Sequence, residues 1–306
     1  MAAVIGVLVL LPDRLGLDGV VPLADSIAFR PQLAVVTTVL ALAALAYRRM
    51  RTAAVALLAV SVVALALVVP RGVARPPSPS TAPTLTVLSF NVDRGEADVQ
   101  SLAEVVRRVR PDVVVLPESA TRYSALVTAA IPDLGYRSSV AARPGAPDVA
   151  GVTVLTAASL GPVAGRVIEQ GRFDPWLELS DGRLGALRLV AVHVSAPVPQ
   201  KIGSWARELP QLQTWCRPGA GPVVLAGDFN ATLDHRFFRD GTRGCQDAGV
   251  VSGQGLVGTW NAAWPWWAGA QIDHVLTGGG PEPVDMTVLD LPGSDHRAVL
   301  ARVRLG

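Results

Sequence analysis

Six apolar runs in this 306-residue chain carry, at or near one end, a residue able to bind a cation or move a proton. Asn91 follows LTVLSF, Glu118 follows VVVLP, and His193 lies in LVAVHVSAP. Asp228 and Asn230 follow VVLA within GDFN. Asp273 and His274 lie in QIDHVL, and Ser294, Asp295 and His296 precede AVLARV. Carboxylates ligate hard cations, and carboxylate and imidazole exchange protons near neutral pH. Strand ends are where an open sheet presents such groups to a ligand. A single Asp after a strand is ordinarily a turn former. Recurrence at six strand ends asks for a shared purpose.

The elements that must hold these residues are mostly strands. Residues 85–90 alternate and are rich in β-formers, which predicts a strand. Residues 98–110 place Leu102, Val105, Val106 and Val109 at helical spacing, and Pro111 ends that helix. The all-apolar run 113–116 reads as a strand covered on both faces. Further strands are predicted at 151–155, 176–179, 187–194, 223–226, 272–276 and 298–303, and a second helix at 202–215. The expectation is a strand-dominated α/β domain over 84–306, with two packed sheets and helices outside.

The ordered set LSFNV, LPES, VHVSAP, GDFN, IDHVL and SDH resembles the endonuclease/exonuclease/phosphatase family across about residues 85–305. Any one of these motifs is weak, but their order and separations together are specific. The resemblance implies a four-layer α/β sandwich of two mainly antiparallel sheets. It also implies hydrolysis of a phosphoester assisted by Mg²⁺, with Mn²⁺ as the alternative cation. By the same resemblance Glu118 and Asp295 are metal ligands, and Asn91 lies beside metal and phosphate. His296 becomes general base or orienting group, fixed by Asp273, and Asp228 orients or activates the attacking water. Asn230 donates to non-bridging oxygens, and His193 stabilises the transition state or protonates the leaving oxygen. Tyr136 falls where the family often has a substrate-facing aromatic. His235 and His274 match no role and read as structural or rim residues. The family often follows its GVTVL-like strand with Ser-Arg or Ser-Lys, whereas this chain reads TVLTAASL.

Composition divides the chain in two. It is 50% hydrophobic and 17% charged, against a usual charged share of about 25%. Residues 1–75 carry seven Arg and three Asp, a net charge of +4; the rest carries 20 basic and 22 acidic residues, a net charge of −2. Runs at 32–47 and 52–70 are uncharged apart from Arg48 just beyond the first, and read as membrane spans. Residues 1–12 are apolar but short, and read as a third span, a re-entrant piece or a remnant. Arg48, Arg49 and Arg51 sit between the two long runs, so this loop is expected on the cytoplasmic side. Everything after residue 70 then lies outside. Residues 71–83, RGVARPPSPSTAP, read as an extended Pro/Ser-rich linker that holds the following domain off the membrane.

Phosphate neutralisation supplies most nucleic-acid affinity. A net charge of −2 and a single lysine, Lys201, argue against a tight duplex nuclease. Trp264, Trp266 and Trp267 in NAAWPWWAG are either a packed Pro-Trp loop or a substrate rim touching lipid headgroups. Cys216 and Cys245, 29 residues apart, read as one disulfide outside the cytoplasm, with two buried thiols as the alternative. The sequence thus predicts a multi-pass membrane protein with an extracytoplasmic phosphodiesterase domain acting on a lipid or small phosphodiester. An extracellular nuclease is the first alternative, and a silent binding module on the same fold is the second.

Overall fold

Short alternating runs build two six-stranded sheets in the computed structural model, which describes residues 2–75, 77–169 and 175–306. The first half of the domain contains β1 (Thr84–Ser89), β2 (Val113–Pro117), β3 (Arg137–Ala141) and β4 (Val152–Thr156). Then come β5 (Ala164–Ile168), β6 (Trp176–Ser180), β7 (Arg188–His193) and β8 (Val223–Asp228). The series ends with β9 (Gln246–Asp247), β10 (Asp273–Gly278), β11 (Glu282–Leu289) and β12 (Ala298–Arg304). One sheet runs β11-β12-β1-β2-β4-β3 and the other β5-β6-β7-β8-β10-β9. Each sheet is mixed: β1 with β2 and β7 with β8 are parallel, and the other neighbours are antiparallel.

Strand side chains alternate between faces, and here both faces are apolar. Val87, Val115, Leu189, Ala226 and Val275 fill the space between the sheets. Leu88, Val114 and Leu116 point the other way, toward the helix layer on the first sheet. Val190, Val192 and Leu225 do the same on the second sheet.

Among the described residues, four α-helices precede this sandwich: α1 (Ala2–Leu10), α2 (Leu23–Ala28), α3 (Arg30–Ala44) and α4 (Arg51–Val68). On the first sheet lie α5 (Val99–Val109) and α6 (Thr121–Ala130). The Asp98 carboxylate accepts from Ser101 N–H at 2.8 Å and caps α5. The second sheet is covered by α7 (Ile202–Glu208), α8 (Gln213–Cys216) and α9 (Arg236–Gly241), and α10 (Ala248–Val251) follows β9. The helix expected over 202–215 is broken into α7 and α8 by a 3₁₀ turn at Leu209–Leu212, where Pro210 lacks the N–H that a continuous helix needs. A Cys216–Cys245 disulfide joins α8 to the segment before β9.

The helices α1, α3 and α4 pack on one another, with Leu10, Leu11, Ala34 and Ala64 between them. One helical stretch, Arg48–Gly72, is long and apolar enough to cross a membrane, and it contains the run expected at 52–70. The run expected at 32–47 forms the shorter α3, of 15 residues, beginning at Arg30. The linker departs from its expected course. Its first residues lie on the sandwich: Arg71 donates to both Asp234 carboxylate oxygens at 2.9 and 2.8 Å, and Arg75 N–H to Val251 O at 2.8 Å. Asp234 is buried, and a buried carboxylate holds its charge only with cationic partners. That requirement draws the linker in.

Candidate active site

Strand register assembles half of the site. Parallel pairing sets His193 of β7 opposite Asp228 of β8, and antiparallel pairing sets Asp273 of β10 opposite the same Asp228. Three polar residues from distant parts of the chain thus form one row across three neighbouring strands. The first sheet supplies the other half from a single edge. Asn91 lies just past β1, Glu118 just past β2, and Asp295 and His296 just before the antiparallel β12.

Backbone geometry at this edge is unusual. Gly227 has φ +146°, and a Cβ there would lie 1.9 Å from Val192 O, so the glycine of GDFN is required by the close approach of β7. Glu118 and Asn230 have φ of 58° and 47°, in the left-handed region that non-glycine residues seldom adopt. Strain of this kind persists where surrounding bonds over-determine the conformation, and it clusters at functional sites.

Those bonds are present. Asn91 Nδ2 donates to Glu118 Oε1 at 3.1 Å and to Asp228 Oδ2 at 3.0 Å, tying the two sheets together. Asp228 Oδ1 accepts from Asn230 N–H at 2.8 Å, and Asn230 Nδ2 donates to Asp228 Oδ2 at 3.1 Å and to Val194 O at 2.8 Å. His296 Nδ1 meets Asp273 Oδ2 at 2.9 Å, which leaves Nε2 directed at Asp228 Oδ2 and Asp295 Oδ1, each 3.8 Å away. His193 Nε2 lies 3.7 Å from Glu118 Oε1 and 3.9 Å from Asp228 Oδ2. The Trp260 indole N–H donates to Asp295 Oδ2 at 2.9 Å. Ser294 Oγ donates to Asn91 O at 2.7 Å and accepts from His296 N–H at 3.0 Å, locking the SDH turn to β1.

Burial and like charge set the electrostatics. Burial pushes the Asp228 carboxyl up to about 6, although His296 pulls it down. Burial opposes the charge on His296, yet the Asp273 and Asp228 carboxylates outweigh it and raise the imidazole to about 10. Asp228 and His296 form an acid–base couple across a 3.8 Å gap.

The donor set fits a hard divalent cation. Burial and then the carboxylates of Asp295 and Glu118 raise the carboxyl of Asp93, so these three acids share one locality and repel one another. Glu118 is held by neutral dipoles, the Asn91 amide and the Arg94 backbone N–H at 2.9 Å, which orient it without cancelling its charge. A second group, Asp228, Asp273 and His296, has ligand atoms within 4.8 Å of one another. That group is buried, and His296 is hydrogen-bonded to Asp273 within it. Asp93, Glu118 and Asp295 are the more open acids of the same edge.

Sequence reasoning places Asn91, Glu118, His193, Asp228, Asn230, Asp273, Asp295 and His296 in the site, and the structure brings all eight together. Two roles change. The Asn230 amide spends both protons on Asp228 and Val194, so it positions Asp228 and does not face a substrate oxygen. Tyr136 is not at the rim. Its ring packs in the layer between the first sheet and its helices, and its hydroxyl donates to Pro111 O, ahead of β2 and at the opposite end from Glu118. Asp93 was missed; it lies two residues past Asn91 in a left-handed turn, and an acid in that turn is the signal that marks it. Trp264, Trp266 and Trp267 are 45%, 56% and 61% exposed, which decides for the open loop. His235 and His274 are buried and structural: His235 Nε2 meets Ala24 O at 2.9 Å, and His274 Nδ1 meets Asp247 Oδ2 at 2.7 Å.

The sequence profile of the endonuclease/exonuclease/phosphatase family matches residues 88–296, more than half of the chain. The chain belongs to that family. Its members are phosphoester hydrolases, and this chain carries a carboxylate–histidine cluster of the kind that can hold a metal ion. Humanized D. rerio TDP2 carrying 14 mutations is 18% identical with a TM-score of 0.58, covering 72% of this chain and 99% of that one. A family protein from Bacteroides vulgatus is 15% identical with a TM-score of 0.57, covering 73% and 100%. D. rerio TDP2 complexed with a single-strand DNA product is 17% identical with a TM-score of 0.58, covering 72% and 99%. These identities establish a shared fold. Comparison with curated proteins gives no significant match.

Proposed function

We propose that this chain is a membrane-anchored, divalent-cation-dependent phosphodiesterase whose site faces the extracytoplasmic side and takes a lipid or small phosphodiester. The observation that carries the hydrolytic part is the convergence of the His193–Asp228–Asp273 row on Glu118 and His296. Asp93, Glu118 and Asp295 would hold Mg²⁺ or Mn²⁺, which supplies Lewis-acid polarisation of a phosphoryl oxygen. Asp228, beside His296, takes the proton of the attacking water, and Asp273 holds the imidazolium in one orientation. Asn91 and Asn230 fix the Asp228 carboxylate. His193 Nε2, beside both Glu118 and Asp228, is placed to donate to the leaving oxygen.

Several features support the membrane part. The stretch 48–72 has spanning length, Val55 and Val62 are exposed on it, and Val35, Val39 and Leu40 are exposed on the neighbouring α3. Arg48, Arg49 and Arg51 cap the end of the α3–α4 hairpin away from the sandwich, the polarity expected for a cytoplasmic loop. The exposed tryptophan loop adjoins the start of α3, where Gln32 Nε2 donates to Trp267 O at 3.0 Å. Tryptophan at that level suits a headgroup interface.

The test uses the full chain in nanodiscs with a p-nitrophenyl phosphodiester and Mg²⁺ or Mn²⁺. Turnover is expected to need the cation, and to fall by about 10²- to 10⁴-fold in His296→Ala and in Asp228→Asn. Full activity in the double variant sinks the site. Sphingomyelin, phosphatidylinositides, nucleotides and single-stranded DNA then rank the substrate classes. A preference for DNA with steep loss on added salt replaces the lipid reading with a nuclease. Protease cleavage within 77–83 on intact cells checks the orientation.

A further inference from the structure

A partly open pocket of about 210 Å³ lies between the N-terminal helices and the catalytic edge. Its lining comes from segments that continue directly from site residues. Ala196, Pro197 and Val198 follow His193, and Trp260 and Ile272 precede Asp273. Asn230, which positions Asp228, stands at the shared wall, and the Trp260 indole lines the pocket while its N–H holds Asp295. The opposite wall is Ala24, Ala28 and Phe29, the turn that leads into α3. The pocket thus lies between Asn230 and Trp260, the hydrogen-bond partners of Asp228 and Asp295, and the start of the apolar helices.

Its chemistry is selective. The side-chain nitrogens of Asn230 and His235 around it are already committed. Asn230 Nδ2 is spent on Val194 and Asp228, and both His235 ring nitrogens meet backbone groups, Thr232 N–H at 2.9 Å and Ala24 O at 2.9 Å. Asp25 is exposed at the rim. What remains is small aliphatic and aromatic surface. A nucleobase presents donors and acceptors along its edge, and this lining would leave them unpaired, at a cost. A saturated chain needs only apolar contact.

We propose that this pocket binds the aliphatic chain of a phosphoester substrate, with the N-terminal segment Ala24–Phe29 as one wall of the substrate site. The proposal rests on the phosphoester-hydrolase reading above and names the apolar group next to the scissile phosphate. The N-terminal region is then part of the specificity apparatus as well as an anchor. Each methylene entering the pocket should strengthen binding by roughly fourfold until the space is filled.

The experiment compares p-nitrophenyl methyl, butyl, hexyl and octyl phosphates with the full chain in nanodiscs. In each reaction the water oxygen bonds to phosphorus as the P–O bond to p-nitrophenolate breaks, leaving an alkyl phosphate, p-nitrophenolate and the water's protons. The expected result is kcat/KM rising by roughly fourfold per methylene in the wild type. Ala28→Trp and Val198→Trp, which fill the pocket from opposite walls, should flatten that rise toward onefold per methylene. The variants share the same bilayer, so partitioning of the longer esters cancels in the comparison, and thermal unfolding identifies a variant that has not folded. A p-nitrophenyl hexadecyl phosphate resident in the nanodisc identifies the source. Its turnover by wild type and loss in Ala28→Trp mean a chain drawn from the bilayer, whereas turnover confined to the soluble esters means a free amphiphile. Equal chain-length dependence in wild type and both folded variants overturns the pocket and leaves the hydrolase reading intact. Absence of turnover with every ester overturns the hydrolase reading. Calorimetric binding of hexyl against methyl phosphate then decides the pocket alone, and equal affinities reject it.

Discussion

Asp228 accepts three hydrogen bonds, two from Asn230 and one from Asn91, and it faces His296 across 3.8 Å. No single neighbour fixes this carboxylate; two sheets and a left-handed turn do. Asp93 matters at the same scale. It adds a third carboxylate near Glu118 and Asp295; burial and then repulsion from these two raise its carboxyl, and a bound cation would relieve the repulsion. Asp93→Asn is expected to raise the Mg²⁺ concentration for half-maximal activity by about 10- to 100-fold, the size of effect seen when an outer partner of a metal ligand is lost. A Mg²⁺ titration of turnover measures it, and an unchanged midpoint removes Asp93 from the cradle.

At the scale of elements, β10 is held to the loop after β8 by His274. Its Nδ1 meets Asp247 Oδ2 of β9 and its Nε2 meets Ala231 O at 3.0 Å, so both nitrogens find acceptors. Burial disfavours charge on this imidazole, but Asp247 and the Ala231 carbonyl prevail and its pKa is raised. A raised folded pKa contributes stability that is complete below the unfolded value of about 6.5 and is lost as pH climbs through the folded one. Chemical unfolding at stepped pH should show stability declining above about 6.5, by up to about 1.4 kcal/mol per pH unit from this group. His274→Gln should reduce that slope; an unaltered slope refutes the assignment. The disulfide acts on elements too. Closing the loop between Cys216 and Cys245, separated by 29 residues, contributes roughly 3–4 kcal/mol in the chain-entropy model. Denatured, unreduced protein should contain no titratable thiol, and reduction should lower the unfolding midpoint. Two thiols per chain would contradict the bond.

Across the whole molecule, a buried charge cluster joins the helices to the sandwich. Arg30, 1% exposed, pairs with Asp13 and with Asp234, the latter at 2.6 Å. Arg71 adds to Asp234, Arg239 to Asp13 at 2.6 Å, and the Arg236 N–H to Asp18. Burial alone would raise the Asp234 carboxyl, but Arg71 and then Arg30 overcome it and the pKa is lowered. A lowered folded pKa contributes stability above the unfolded value of about 3.9 that disappears as pH falls through the folded one. Removing one partner of a buried pair strands the other charges and typically costs about 3–5 kcal/mol. Asp234→Asn should therefore undock the helices and expose residues 71–75 to protease at neutral pH, and should flatten the acid limb of stability. Wild-type resistance in that variant would mean that the docking rests on apolar contact alone.

The order of six motifs was enough to recognise the family, and strand ends in this fold bring their following residues to one edge. The eight central strands were legible too, since burial on both faces writes itself as continuous apolar text. The strands left unread, β3, β5, β9 and β11, are the edges of the two sheets among the described residues. Edges carry polar side chains that blur the alternation, as in RSSVA, AGRVI and EPVDMTVL. Only the tertiary structure decided the rest. Asp93 gained its place from a left-handed turn that sets it near Glu118 and Asp295, and Tyr136 lost its expected place to the packing of the helix layer. The linker folds onto the sandwich because Asp234, fifth in line after Phe229, is buried and draws in Arg71 and Arg30 from far along the chain. Partners separated by so many residues leave no local pattern, and so the joining of the N-terminal helices to the sandwich is a property of the folded molecule.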